Sequence, residues 1–165
     1  MLLDAIRERR SIRKYTGEPV SEEQIREILE AAFLAPTASN RQEWRFAVVQ
    51  DREKLAKMAE IHPYGKMIRD CAFSVIVGYE KGVNDRFGEC DCGAAIENML
   101  LQAQSMGIGS VWCALMEGSE HSGGFKQVLG LPDSFATVAA VQFGMPAESK
   151  ETPDRWADSK IIYIR

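Results

Sequence analysis

The sequence AFSVIVGY, residues 72–79, is the most strongly predicted strand of this 165-residue chain. Its residues are almost continuously apolar, which is typical of a strand covered on both faces. Apolar runs at 44–50 and 136–143 predict two further strands. We therefore expect a central sheet that is packed between helices.

Helical patterns alternate with these strands. A capping box begins at Ser21, and apolar residues recur at helical spacing over 25–33. Asp51 is placed to cap a short helix, and the longest helical pattern covers 90–106. The remaining predicted elements are a first helix carrying Leu2, Leu3 and Ile6 on one face, a strand at 113–116 and a helix at 125–129. The alternation predicts one α+β or α/β domain over residues 1–165, with a mixed sheet between helices.

Composition restricts the class of protein. The formal net charge is −4 and the pI is near 5.3, so there is no basic excess to drive binding to nucleic acid. The apolar runs are too short to span a membrane, and charges at Asp4, Arg7 and Glu8 interrupt the stretch where a signal peptide would be apolar. We expect a cytoplasmic protein that binds neither nucleic acid nor membrane.

The four cysteines are Cys71, Cys90, Cys92 and Cys113. A cytoplasmic chain of this size does not need a disulfide framework. Cys90 and Cys92 form a lone CxC with no second pair and no nearby histidine, whereas structural zinc usually takes four ligands. We expect no metal site. A cysteine-based redox or metal protein remains an alternative.

A cationic cluster follows the first predicted helix, with Arg9, Arg10, Arg13 and Lys14 around Ser11. Arginine can bind phosphate oxygens through two parallel hydrogen bonds, and a serine hydroxyl adds a neutral donor. The cluster therefore suits a small phosphate-bearing ligand. The alternative is a solvated basic helix end, which the helix dipole also favours.

Two other segments have functional potential. Residues 36–42 combine a proline with hydroxyl and amide side chains, so they form either a ligand-binding loop or a polar connector. The apolar run at 161–164 is expected to pack on another surface, such as a partner subunit.

Neither His62 nor His121 forms a triad pattern with a nearby nucleophile and acid, so nucleophilic catalysis is not indicated.

Three motifs together resemble those of the nitroreductase family of FMN-dependent oxidoreductases, in its short, single-domain branch. They are RRSIRKY at 9–15, APTASNRQEW at 35–44, and the long helix that leads into GIGSVW at 107–112. The resemblance implies an α+β fold with a mixed central sheet flanked by helices. It also implies an intertwined homodimer with two FMN sites at the subunit interface.

The resemblance also implies the roles of individual residues. The phosphate and the pyrimidine edge of FMN would be held by Arg9, Arg10, Ser11 and Arg13, and Lys150 with Arg155 would close on the phosphate. The residues that would reach the flavin from the other subunit are Pro36, Thr37, Ala38, Ser39 and Asn40. Backbone contacts along the isoalloxazine would come from Trp112, Cys113 and Ala114.

The chain departs from the family pattern at three places. Glu43 stands where the family usually has proline, and the short connection at 80–88 leaves no room for the helical lid of longer members. The segment Tyr64–Gly65–Lys66 lacks the asparagine pattern of longer members, which leaves Lys66 as a weak candidate.

The implied activity is hydride transfer from NAD(P)H to flavin N5, followed by reduction of a nitroaromatic, quinone or similar small oxidant in a ping-pong cycle. Because flavin carries the chemistry, no catalytic side chain is predicted. Alternatives are a specialised relative of the dehalogenase or flavin-degrading type, and a non-catalytic FMN-binding protein.

Overall fold

The computed structural model describes residues 2–63, 65–83 and 85–165. The helices are α1 (Asp4–Glu8), α2 (Glu22–Phe33), α3 (Arg52–Ile61), α4 (Lys66–Asp70), α5 (Gly88–Ser105) and α6 (Glu120–Leu129). The strands are β1 (Trp44–Val49), β2 (Phe73–Glu80), β3 (Gly109–Ala114) and β4 (Phe135–Gly144). Tyr64, in the segment compared with longer family members, and Asn84, in the 80–88 connection, lie outside the described residues.

The sheet has the strand order β1-β2-β4-β3, and all three strand pairings are antiparallel. An isolated parallel bridge joins Ser11 to Ser110 at the outer edge of β3. The predicted α+β class is confirmed, whereas the expectation of a mixed sheet is wrong for the four described strands, because each of them pairs antiparallel with its neighbours.

Strand β2 is buried on both faces, as its continuous apolar sequence predicted. Phe73, Val75 and Val77 join one core cluster with the apolar residues of α2 and α5. Ile76 points to the opposite side, into a second cluster that includes Leu55 of α3 and residues of α6. The alternation of side chains along a strand distributes neighbouring residues between the two cores.

Local sequence signals account for several helix boundaries. The Ser21 capping box is formed, and the Asp51 side chain accepts the N–H groups of Glu53 and Lys54. Helix α6 begins at Glu120, earlier than the predicted start at 125, because Ser119 caps it. Strand β3 also begins earlier than predicted, at Gly109.

The short helix α4 was not predicted, and a glycine determines where it lies. A Cβ atom on Gly65 would come within 2.0 Å of the Ala59 carbonyl oxygen. The missing side chain therefore lets α4 pack directly against the main chain of α3. This contact positions Lys66 and Met67 of α4 beside β3.

Candidate functional site

A cavity of about 1060 Å³ lies along β3 and is open to solvent. It is bounded by the N-terminal segment, the α3–α4 connection, the start of α6 and the segment after β4. Its lining residues are Arg13, Lys14, Tyr15, His62, Pro63, Lys66, Met67, Asp70, Val111, Trp112, Cys113, Ala114, His121, Glu148 and Lys150. This volume is sufficient for a cofactor-sized molecule.

One wall of the cavity is β3, which lies at one edge of the sheet. At the start of the strand, the Ile12 N–H donates to the Ser110 carbonyl at 2.9 Å. Trp112 is 41% exposed, whereas Cys113 is buried. Burial raises the pKa of the Cys113 thiol to about 11, so it remains protonated near neutral pH and is a poor nucleophile. This wall offers flat apolar surface rather than a reactive side chain.

The cationic side of the cavity is built where the two ends of the chain pair. Main-chain hydrogen bonds join Thr16 to Met145 and Ala147 to Lys14, each at 2.9 Å. Residues 11–16 therefore run beside residues 145–150. The Arg13 and Lys14 side chains reach the cavity from one side of this pairing, and Lys150 reaches it from the other.

Lys150 and Glu148 are fixed by contacts with the N-terminal segment. The Lys150 Nζ donates to the Ser11 carbonyl at 2.6 Å and lies 3.3 Å from Glu148 Oε1. The Arg13 main-chain N–H donates to Glu148 Oε1 at 2.7 Å and is the main cause of a lowered pKa at Glu148. Because the cavity is lined by four cations, including Lys66, and by two carboxylates, it favours an anionic ligand.

The structure brings five predicted site residues together, namely Arg13, Trp112, Cys113, Ala114 and Lys150. The other predicted cations and Ser11 lie outside the lining. Arg9 pairs with Glu97 of α5 at 3.5 Å, and the Arg10 guanidinium donates to main-chain carbonyls, including that of Glu151 at 2.9 Å. Ser11 forms the bridge to Ser110, and Arg155 is exposed in the C-terminal segment.

The predicted binding loop, residues 36–42, is not among the described residues that line the cavity of its own chain. It contains Pro36, Thr37, Ala38, Ser39 and Asn40, and its last two residues are Arg41 and Gln42. Ser39, Asn40 and Gln42 all have φ near 53°, a left-handed conformation that is uncommon outside glycine. The loop is fixed to α5, because the Ala38 N–H donates to Asp91 Oδ2 at 2.9 Å.

Several cavity residues were not among the predicted site residues. His62 Nε2 lies 3.4 Å from the Ala114 carbonyl, and its ring centroid is 5.7 Å from that of His121. Burial lowers the pKa of His62. The two histidines are far apart in sequence and share no motif. Lys66 was a weak candidate, and the placement of α4 brings it into the lining.

Among residues 2–63, 65–83 and 85–165, no group of three or more His, Cys, Asp or Glu side chains is arranged to hold a metal ion. Across the same described part of the chain, no helix combines the length and apolar character required to cross a bilayer. Three of the cysteines are buried and Cys90 is exposed, and all four are free thiols.

Comparisons with known proteins show which family the chain resembles. The nitroreductase family model matches residues 6–63 and 60–145. A protein of Methanothermobacter thermautotrophicus, provisionally named NADH dehydrogenase/NAD(P)H nitroreductase, is 36% identical over 162 residues, which are 97% of this chain and 85% of the relative.

Two solved structures share the fold. A provisionally named nitroreductase from Desulfovibrio desulfuricans, in complex with FMN, is 32% identical with a TM-score of 0.83, over 98% of this chain and 95% of that chain. An NADPH:FMN oxidoreductase of Vibrio harveyi, complexed with NAD+, is 25% identical with a TM-score of 0.85, over 98% of this chain and 75% of that chain.

Proposed function

The chain belongs to the nitroreductase family, and we propose that it is an FMN-dependent oxidoreductase that transfers hydride from NAD(P)H to a nitroaromatic, a quinone or a similar small oxidant. The observation that carries this proposal is the cavity along β3. It combines a flat strand wall at 111–114 with cations contributed by both ends of the chain. A flat ring system bearing a phosphate matches these two features together.

We assign the binding roles from the lining. Arg13 and Lys150 would bind anionic groups of FMN, and the family resemblance adds Arg9, Arg10, Ser11 and Arg155. This extended assignment remains a prediction. The main chain and side chains of Trp112, Cys113 and Ala114 would support the ring system. Lys66, which approaches from α4, would stabilise negative charge on the ring during reduction.

Exposed apolar residues support a homodimer in which each site is completed by the partner. Leu2 and Leu3, which precede α1, and Ile6 of α1 are between 45% and 69% exposed. The largest exposed apolar residues of the C-terminal segment are Trp156, Ile162, Tyr163 and Ile164. Apolar surface of this extent is typical of protein–protein interfaces. Residues 36–40 do not line the cavity of their own chain. In a dimer, the 36–40 loop of each subunit would instead reach the cavity of the other subunit.

When bound, FMN supplies the hydride acceptor and donor, so the protein needs no acid, base or nucleophile of its own. The chain contributes binding, orientation and charge. Arg13, Lys66 and Lys150 provide fixed positive charge, and the β3 wall orients the ring. NAD(P)H and the oxidant would occupy the open side of the cavity in turn, in a ping-pong cycle.

The test is a visible spectrum of purified protein that has been incubated with FMN, desalted, and treated anaerobically with NADPH and then NADH. We expect retained flavin bands that bleach with a nicotinamide donor and return when benzoquinone or a nitroaromatic is added. FMN carried through the same column without protein is the control. The absence of retained flavin contradicts the assignment of the cavity, and retained flavin that neither donor reduces contradicts the oxidoreductase activity.

A further inference from the structure

Glu43 is a carboxylic acid buried at the end of the 36–42 loop, where β1 begins. It is 1% exposed, and no donor among the described residues forms a hydrogen bond with either of its carboxyl oxygens. Its main chain is held in place: the Glu80 N–H donates to the Glu43 carbonyl at 2.9 Å, and the Arg45 guanidinium donates to it at 3.3 Å. Arg45 and Glu80 also form an ion pair at 3.7 Å. An ionised carboxylate in this position would be buried without donors, which is strongly unfavourable.

Asp91 of α5 is the acid beside Glu43, and the side chains of the two residues interact. It is 7% exposed, and its Oδ2 accepts the Ala38 N–H at 2.9 Å. A carboxyl oxygen that accepts a main-chain N–H is stabilised in the ionised form. Two adjacent buried carboxyls do not both ionise readily, so Glu43 is the member of the pair expected to keep its proton.

The other titratable and charged groups around Glu43 do not reverse this assignment. Burial and the neighbouring Asp91 raise the pKa of Glu43, while its own main-chain N–H and Arg41 act in the opposite direction. Cys92, the next residue on α5, has a thiol whose pKa burial raises to about 12, so it carries no charge near neutral pH.

We propose that Glu43 carries a proton and donates it in a hydrogen bond to Asp91, and that this bond positions the 36–42 loop for the flavin. Asp91 would then hold the loop at both ends, through the Ala38 N–H and through the Glu43 carboxyl. The left-handed residues Ser39 and Asn40 lie between these two attachments. The inference rests on the proposed function in one respect, namely that this loop contacts FMN in the partner's site.

The bond makes the loop sensitive to pH. Loss of the Glu43 proton removes the donor and places two buried negative charges side by side, which releases one end of the loop. Glu43 therefore acts as a positioning residue, since its effect on FMN passes through the loop. The Glu43→Gln variant retains a donor of similar shape and removes the titration.

The first experiment does not require FMN. The Ala38 amide resonance of the protein without added flavin is followed by NMR as the pH is raised from acid to mildly alkaline values. We expect it to titrate with a pKa above the ordinary glutamate value of 4.5, and to lose that titration in Glu43→Gln. The wild-type titration alone still tests the proton assignment if the variant fails to fold. Titration at the ordinary value, or persistence of the same titration in Glu43→Gln, overturns the inference.

The second experiment measures the Kd of FMN over the same pH range for wild type, Glu43→Gln and the exposed control Glu23→Gln. We expect the wild type and the control to lose about tenfold in affinity as the pH rises through the Glu43 pKa, the scale of one hydrogen bond to a charged group. Glu43→Gln should keep the affinity seen at acid pH throughout. Identical profiles in all three proteins overturn the positioning role. A protein that binds no FMN at any pH refutes the proposed function, while the Ala38 titration still decides the Glu43–Asp91 bond.

Discussion

Replacing Lys150 with alanine should weaken FMN binding by about 1–2 kcal/mol, or roughly 5- to 30-fold in Kd. Lys150 lines the cavity and is held by the Ser11 carbonyl at 2.6 Å, so its ammonium group is already oriented before a ligand arrives. A hydrogen bond between charged groups contributes ~1.5–3 kcal/mol. The expected value is lower because the side chain is 34% exposed and Glu148 lies 3.3 Å away, which partly neutralises its charge.

The assay is titration of the protein with FMN, followed by quenching of flavin fluorescence, at several salt concentrations. Because the contribution of Lys150 is electrostatic, the difference between wild type and Lys150→Ala should shrink as salt increases. Lys150→Arg retains the positive charge and should recover most of the affinity. Lys160→Ala is the matched control, since Lys160 is an exposed lysine of the same C-terminal segment.

Two results would refute this reasoning. If Lys150→Ala and Lys160→Ala bind FMN equally well, the anionic part of the ligand does not lie beside Lys150. If Lys150→Ala and Lys150→Arg are equally weak, the contact with Ser11 supports the shape of the segment rather than the charge of the site. Thermal unfolding of each variant separates this second case from a general loss of stability.

Two further predictions concern stability. Glu117 accepts hydrogen bonds from Lys81, Lys126 and the Thr137 main chain, and together these outweigh the effect of burial and lower its pKa to about 2. A fall in pKa from 4.5 corresponds to at most ~3.4 kcal/mol of folding stability. Because the side chain is partly exposed, we expect a contribution of about 1–2 kcal/mol. A carboxyl whose pKa is lowered by folding stabilises the protein at pH values above its pKa in the unfolded chain. Urea denaturation of Glu117→Gln should therefore show this loss of stability near neutral pH and a decreasing loss toward pH 2. An equal loss of stability at every pH would exclude an ionic origin. Gly65→Ala should lower the free energy of unfolding by about 1–3 kcal/mol, because the new Cβ meets the main chain of α3. By contrast, a Cβ at Gly123 would lie in open space, so Gly123→Ala should leave the stability unchanged or raise it. Similar melting temperatures for these two variants would contradict the close approach of α4 to α3.

The sequence predicted those parts of the fold that depend on short-range patterns. The apolar run at 72–79 corresponds to the doubly buried strand β2, and Ser21 and Asp51 cap the helices that they were expected to cap. In each case the relevant physics involves residues within a few positions of one another. Helix α4 was missed because its position depends on Gly65 approaching a distant main chain, and nothing within its own five residues signals that contact.

The candidate site was predictable in part, through the resemblance of three motifs to those of the family. The family resemblance implied that Trp112, Cys113 and Ala114 line the flavin site, and the structure places all three in the lining of the cavity. The pairing of His62 with His121 depends on how α3 and α6 pack together, which no local pattern encodes. Glu43 was noted as a departure from the family pattern, but its burial against Asp91 became visible only in the folded chain.

The charge of the site illustrates how far tertiary contacts determine function in this chain. The protein is acidic overall, yet Arg13 and Lys150 meet in one cavity because residues 11–16 pair with residues 145–150. The hydrogen bonds of Arg13 with Glu148 and of Ser11 with Lys150 span more than 130 positions, so they close some of the longest loops in the chain. The entropy lost in closing such loops must be offset by the packing of the folded chain. Without this pairing, the RRSIRK segment would be a solvated basic helix end. It becomes part of an anion-binding site only when the C-terminal segment pairs with it.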